Sequence, residues 1–184
     1  MRKPRNRAIP GPPALWGLVL AGGDSRRMGR DKGQLPYRGE PQARRALQLL
    51  NIVCARAFVS VRSDQAQLEP YALLPLIVDD GELRGPAAGL LAAWAQWPSA
   101  AWLTLATDLP LVGPALLGEL IQQRAPEALA TAFRHPDGTP EPLCTIWEPA
   151  ARARLLGRAR TGDHSLRRLL EDSAVELLDA REPD

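Results

Sequence analysis

The apolar run at residues 16–21 (WGLVLA) carries no charge and stops at Gly22-Gly23, and from there short apolar runs alternate with amphipathic stretches. Such a run reads as a strand buried on both faces, the kind found where helices cover both sides of a parallel sheet. Further strands are expected at 57–62, 76–78, 101–106, 128–134, 143–147 and 175–178. Helices are expected over 41–50, 86–97, 114–124, 149–160 and 165–172, several opened by a proline suited to the first helical position. The alternation predicts a three-layer α/β/α, Rossmann-like fold around a mostly parallel sheet. A turn at Pro136-Asp137-Gly138 is expected to join the strands at 128–134 and 143–147. Residues 14–184 contain no repeat or linker and are expected to form a single domain. Residues 1–13 hold Arg2, Lys3, Arg5, Arg7 and four prolines, with nothing to bury, and are expected to be a disordered basic tail.

Composition removes several function classes. No window of about 18 apolar residues exists, so no membrane-spanning helix is expected. The first apolar run ends in glycines and arginines instead of a cleavage site, so it does not read as a secretory signal. Cys54 and Cys144 are too few and too far apart for a disulfide framework or a zinc knuckle, which points to reduced thiols in the cytoplasm. The 23 basic residues are nearly balanced by 21 acidic ones and scattered among them, without the basic stripe of a nucleic-acid surface. Only Lys3 and Lys32 are lysines, and Lys32 falls in a glycine loop.

Ligands of open α/β sheets sit beyond the carboxyl ends of the strands. The segment Leu20-Ala21-Gly22-Gly23-Asp24-Ser25-Arg26-Arg27-Met28-Gly29-Arg30-Asp31-Lys32 follows the first strand, Asp79-Asp80 the third and Asp108 the fourth. Glu141 is placed in a loop just before a strand, able to fold over the same rim. Glycines let a backbone approach a phosphate and turn successive N–H groups into an anion site. Arg27 and Lys32 add positive charge where a triphosphate would lie. The spacing is neither G-x-G-x-x-G nor a P-loop. Alone, the glycines are better explained by a tight turn, and Asp108 before Leu109-Pro110 suits a turn as well.

Residues Leu20 to Lys32 match L-A-G-G-x-S-x-R-M-G-x-D-K at every fixed position, and by this string the chain resembles the molybdenum-cofactor guanylyltransferases within the wider nucleotidyltransferases. Leu35, Gly39 and Pro41 continue the match. Val78-Asp79 with Gly85-Pro86-Ala87-Ala88-Gly89 is similar to the family's acid followed by G-P-L-A-G. Thr107-Asp108-Leu109-Pro110 is similar to C-D-x-P, and Glu141-Pro142-Leu143 to E-P-L.

The resemblance implies a nucleotide-diphospho-sugar-transferase type of fold and transfer of GMP from GTP to molybdopterin, with release of pyrophosphate. It implies that Leu20, Ala21, Gly22 and Gly23 hold the nucleotide with Asp79 (or Asp80, one residue on). Lys32 and Arg27 would neutralise phosphate charge, Asp108 would bind Mg²⁺, and Glu141 is a candidate acceptor contact or a simple loop salt bridge. In-line attack by an already ionised phosphate needs positioning and charge neutralisation rather than a general base, so His135 and His164 read as loop or surface residues. Trp94, Trp97 and Trp102 read as packing residues. Cofactor-delivery or molybdoenzyme chaperone proteins are the implied partners.

Two departures keep other readings open. The strand position where the family can set an asparagine against the nucleotide is Ser60, and no N-x-N-T-P-like segment precedes Glu182-Pro183-Asp184. Transfer from CTP or to another acceptor is one alternative, although cytidylyl relatives tend to carry A-A-G where Gly22-Gly23 stands. A non-catalytic nucleotide-binding relative is the other.

Overall fold

Seven strands hydrogen-bond into one sheet, in the order Leu76–Asp79, Ala57–Arg62, Leu15–Leu20, Ala101–Ala106, Pro140–Trp147, Ala130–Arg134 and Glu176–Asp179. The computed structural model describes residues 11–22, 33, 36–37, 39–79, 83 and 85–179. In chain order the elements are β1 (Leu15–Leu20), β2 (Pro36–Tyr37), β3 (Glu40–Pro41), α1 (Gln42–Val53), β4 (Ala57–Arg62), β5 (Leu76–Asp79) and α2 (Pro86–Gln96). They continue with β6 (Ala101–Ala106), α3 (Pro114–Gln122), β7 (Ala130–Arg134), β8 (Pro140–Trp147), α4 (Ala150–Arg160), α5 (Leu166–Glu171) and β9 (Glu176–Asp179).

The expected strands and helices are all present, with ends moved by a few residues. Helix α1 begins at Gln42 because Pro41 is its N-cap and pairs in a short hairpin, where Pro36 faces Pro41 and Gly39 takes φ +88°. Strands β5, β4, β1 and β6 are mutually parallel. Strand β8 runs antiparallel to β6 and to β7, and β9 is parallel to β7. The sheet is therefore mostly parallel, as expected, with β8 reversed.

Strand β8 starts at Pro140, so Glu141 lies inside a strand and the expected loop placement is corrected. Prolines at 140 and 142 read as breakers because they cannot donate to a ladder. They are tolerated here because pairing with β6 begins only at Cys144, and a register shift in β7 between Ala132 and Arg134 loosens the other side. The turn before β8 forms as expected, with Gly138 at φ +86° and His135 N–H donating to the Thr139 carbonyl at 2.8 Å.

Side-chain alternation assigns the two faces. Val19, Val59, Val61, Leu103 and Leu105 pack with Ala43, Leu47 and Leu50 of α1 and with Leu117 and Leu120 of α3. Leu18, Leu20, Trp102 and Trp147 pack instead with Leu90 and Trp94 of α2, Leu155 of α4 and Leu169 of α5. Trp94 and Trp102 are fully buried, and Trp97 stacks on Phe58 with centroids 4.8 Å apart, so these tryptophans pack.

Close approach of α2 to the sheet depends on Gly89. A Cβ there would stand 2.2 Å from Ser60 Oγ and 2.9 Å from Ser60 Cβ, and the latter cannot rotate away. Gly89→Ala gains roughly 1 kcal/mol of helix propensity. It should nevertheless lose about 1–2 kcal/mol overall, because overpacking typically costs more than that gain. Urea denaturation of Gly89→Ala, alone and with Ser60→Gly, checks this: the second substitution should restore most of the loss.

Candidate functional site

The carboxyl ends of β1, β4, β5 and β6 form one rim, and the reversed direction of β8 brings its first residues to the same rim. Gly22 follows β1, Arg62 ends β4, Asp79 ends β5 and Asp108 lies just past β6. Glu141 sits near the start of β8.

Leu20 and Ala21 are 8% and 4% exposed, so their side chains belong to the core and what they offer a ligand is backbone. That backbone is pinned on both sides. Thr107 N–H donates to the Leu20 carbonyl at 3.4 Å, and Ala21 N–H donates to the Ser60 carbonyl at 3.0 Å. Gly22 then leaves the sheet beside Asp79: a Cβ on Gly22 would meet Asp79 Oδ2 at 3.5 Å and Arg62 N at 3.6 Å. Those are ordinary contact distances, so the protein itself does not require glycine there.

Asp79 is 5% exposed and pairs in register with Arg62. A carboxylate this buried has to be hydrogen-bonded or charge-compensated. Asp108 differs: it is exposed, in the turn after β6, where Leu109 N–H donates to the Ala106 carbonyl at 3.3 Å. The two acids thus differ in environment, one held in the floor and one presented at the rim.

Glu141 is engaged locally. Its Oε1 accepts from Leu143 N–H at 2.7 Å, and its Oε2 lies 3.2 Å from His135 Nε2. Ser60 is 2% exposed and packs under α2 against Gly89, so its side chain belongs to the helix–sheet contact. Gly23, Arg27, Lys32 and Asp80 lie outside the described residues.

Sequence reasoning passed over Arg62, Asp64 and Gln65, which stand at the same rim. The available signal was the polar string R-S-D-Q directly after a buried strand. Burial pushes the Cys54 and Cys144 thiols up to about 12, so neither offers a thiolate nucleophile. Among the described residues, no group of three His, Cys, Asp or Glu side chains could hold a metal by itself. No helix among them is long and apolar enough to cross a membrane.

Residues 17–178 match the MobA-like NTP transferase domain. A Synechocystis protein named molybdenum cofactor biosynthesis bifunctional protein is 36% identical over 165 residues, covering 89% of this chain and 48% of that protein. This chain thus spans about half the length of that relative. A probable molybdenum cofactor guanylyltransferase of Opitutus terrae is 38% identical over 160 residues, 85% of this chain and 78% of the relative. The crystal structure of molybdopterin-guanine dinucleotide biosynthesis protein A from Archaeoglobus fulgidus superposes with a TM-score of 0.74 at 22% identity, covering 89% and 83% of the two chains. At that identity the superposition shows the fold.

Proposed function

This chain belongs to the MobA-like NTP transferase family and is a nucleotidyltransferase, and from that premise we propose that it transfers GMP from GTP to molybdopterin, releasing pyrophosphate and forming molybdopterin guanine dinucleotide. The observation that carries the proposal is the buried Asp79 carboxylate beside the open Gly22. Guanine presents N–H donors on its Watson–Crick edge, and a carboxylate is an acceptor-only group suited to them. The names of the Synechocystis and Opitutus relatives, which refer to the molybdenum cofactor, support this choice of acceptor.

In this reading an acceptor phosphate oxygen forms a bond to the α-phosphorus. The bond from that phosphorus to the bridging oxygen breaks, and the electron pair leaves with pyrophosphate. The backbone around Leu20, Ala21, Gly22 and Gly23 cradles the nucleotide, and Arg27 and Lys32 neutralise its phosphates. Glu141, tied to His135, borders the acceptor side.

Mg²⁺ is usually bound by one or two carboxylates together with substrate phosphates and water. An exposed aspartate at the rim fits that donor set, so Asp108 would hold the ion. Bound there, Mg²⁺ would neutralise phosphate charge.

Thermal unfolding with GTP, CTP, ATP and UTP, each with and without Mg²⁺, tests the reading. A ligand at 100 times its dissociation constant adds about 2.7 kcal/mol, roughly 5–10 °C for a chain of this size. A Mg²⁺-dependent shift with GTP alone is expected. A shift with CTP instead identifies a cytidylyltransferase, and no shift with any nucleotide removes the nucleotide reading.

A further inference from the structure

The string Arg62-Ser63-Asp64-Gln65 begins at the last residue of β4, beside the point where β1 passes into the glycine loop, and the transfer chemistry above makes no use of it. Its side chains reach across to that point. Arg62 Nη1 donates to the Gly22 carbonyl at 3.2 Å. Its Nε and Nη2 donate to the two oxygens of Asp64 at 2.9 and 3.1 Å, a side-on pair that fixes the plane of the guanidinium. Gln65 is 3% exposed; its Oε1 accepts from Arg62 N–H at 3.1 Å, and its Nε2 lies 3.5 Å from the Ala21 carbonyl.

A trans peptide points its C=O and N–H in opposite directions. With the Ala21 carbonyl drawn toward β4, the Gly22 N–H is turned toward β6, the side on which Asp108 stands. Glycine is conformationally permissive, so a glycine loop left to itself must be ordered by its ligand. Ordering it beforehand lowers that cost.

We propose that Arg62, oriented by Asp64 and backed by Gln65, is a positioning residue that presets the Ala21–Gly22 peptides for nucleotide binding. The binding half of this proposal rests on the nucleotide reading above. Arg62 acts through the fork of its guanidinium, which spans the Gly22 carbonyl and Asp64 together; a lysine keeps the charge but has no planar fork to make both contacts.

The test uses Arg62→Ala and Arg62→Lys in the full chain, with two readouts. The first is amide exchange at Ala21 in the absence of ligand, since Ala21 N–H donates to the Ser60 carbonyl at 3.0 Å and reports fraying of this end of β1. The second is the dissociation constant of the nucleoside triphosphate that stabilises the wild type. Both variants should exchange about tenfold faster at Ala21 and bind about tenfold more weakly, the scale of one lost charged hydrogen bond. Melting temperatures should stay close to the wild type, because the Arg62 side chain is 35% exposed. Wild-type affinity in Arg62→Lys would make Arg62 a simple charge and overturn the proposal. Weakened binding with unchanged Ala21 exchange would make it a direct ligand contact, and faster exchange with unchanged affinity would sever the latch from binding; either overturns it. A wild type that binds no nucleotide defeats the functional reading instead, and is told apart because exchange is measured without ligand.

Discussion

Arg124→Ala is expected to destabilise the protein by about 3–5 kcal/mol, the usual cost of removing one partner from a buried ion pair. The Glu148 side chain is 1% exposed, and Arg124 Nε and Nη2 donate to its two oxygens at 2.7 and 2.9 Å. Arg124 Nη2 also donates to the Pro13 carbonyl at 2.9 Å. One guanidinium therefore ties the segment after α3 to the segment entering β1 and to the residue that follows β8. Truncation leaves the Glu148 carboxylate buried without its counter-charge, which costs far more than the lost contact area. For a chain of this size the fall in melting temperature should be roughly 6–20 °C. Replacing both partners, as Arg124→Met with Glu148→Leu, should be much milder than Arg124→Ala, because no isolated charge remains. Equal losses in the single and double variants would show that packing, not charge burial, sets the cost. The pair lies toward the end of the sheet opposite the rim, so nucleotide affinity should be unchanged in any variant that folds.

This pair was invisible in the sequence. The distance between Arg124 and Glu148 along the chain gives no period, and Arg124 reads as the end of an expected helix that in fact stops at Gln122. The strands, by contrast, were legible because burial on both faces writes itself as unbroken apolar runs: residues 57–62 and 101–106 have the expected ends. The reversal of β8 was only half legible. The Pro136-Asp137-Gly138 turn announces an antiparallel partner for β7, but nothing local announces that β8 will also pair with β6. Prolines 140 and 142 then hid the first turnings of that strand and left Glu141 in an imagined loop. At the rim, Gly22, Asp79 and Asp108 were readable because each follows a recognisable strand. Arg62, Asp64 and Gln65 stand at the end of one too, yet Arg62 and Gln65 reach backbone carbonyls just past β1, about forty residues earlier, with Asp64 orienting Arg62, and a carbonyl has no letter in the sequence.

Asp108→Asn and Asp108→Ala should leave the fold nearly untouched and lower pyrophosphate release by about 10²–10³-fold, the range found when one group that stabilises transition-state charge is removed. Asp108 has two candidate roles, turn former and metal-binding carboxylate, and the paired substitutions separate them. Asparagine preserves the shape and the local hydrogen-bonding capacity of aspartate, so a turn role predicts that Asp108→Asn is active and Asp108→Ala is not. A metal role predicts that both are inactive, since a neutral amide is a far poorer partner for a hard dication than a carboxylate. Exposure of Asp108 means that stability should move by no more than about 0.5 kcal/mol in either variant, so lost turnover cannot be ascribed to unfolding. The nucleotide-induced thermal shift supplies a second discriminator. In both variants the part of the GTP shift that depends on Mg²⁺ should vanish, while the part that does not should persist, because Asp79 and the glycine loop are unaltered. Full activity in Asp108→Asn would return Asp108 to the turn and take the ion away from this carboxylate.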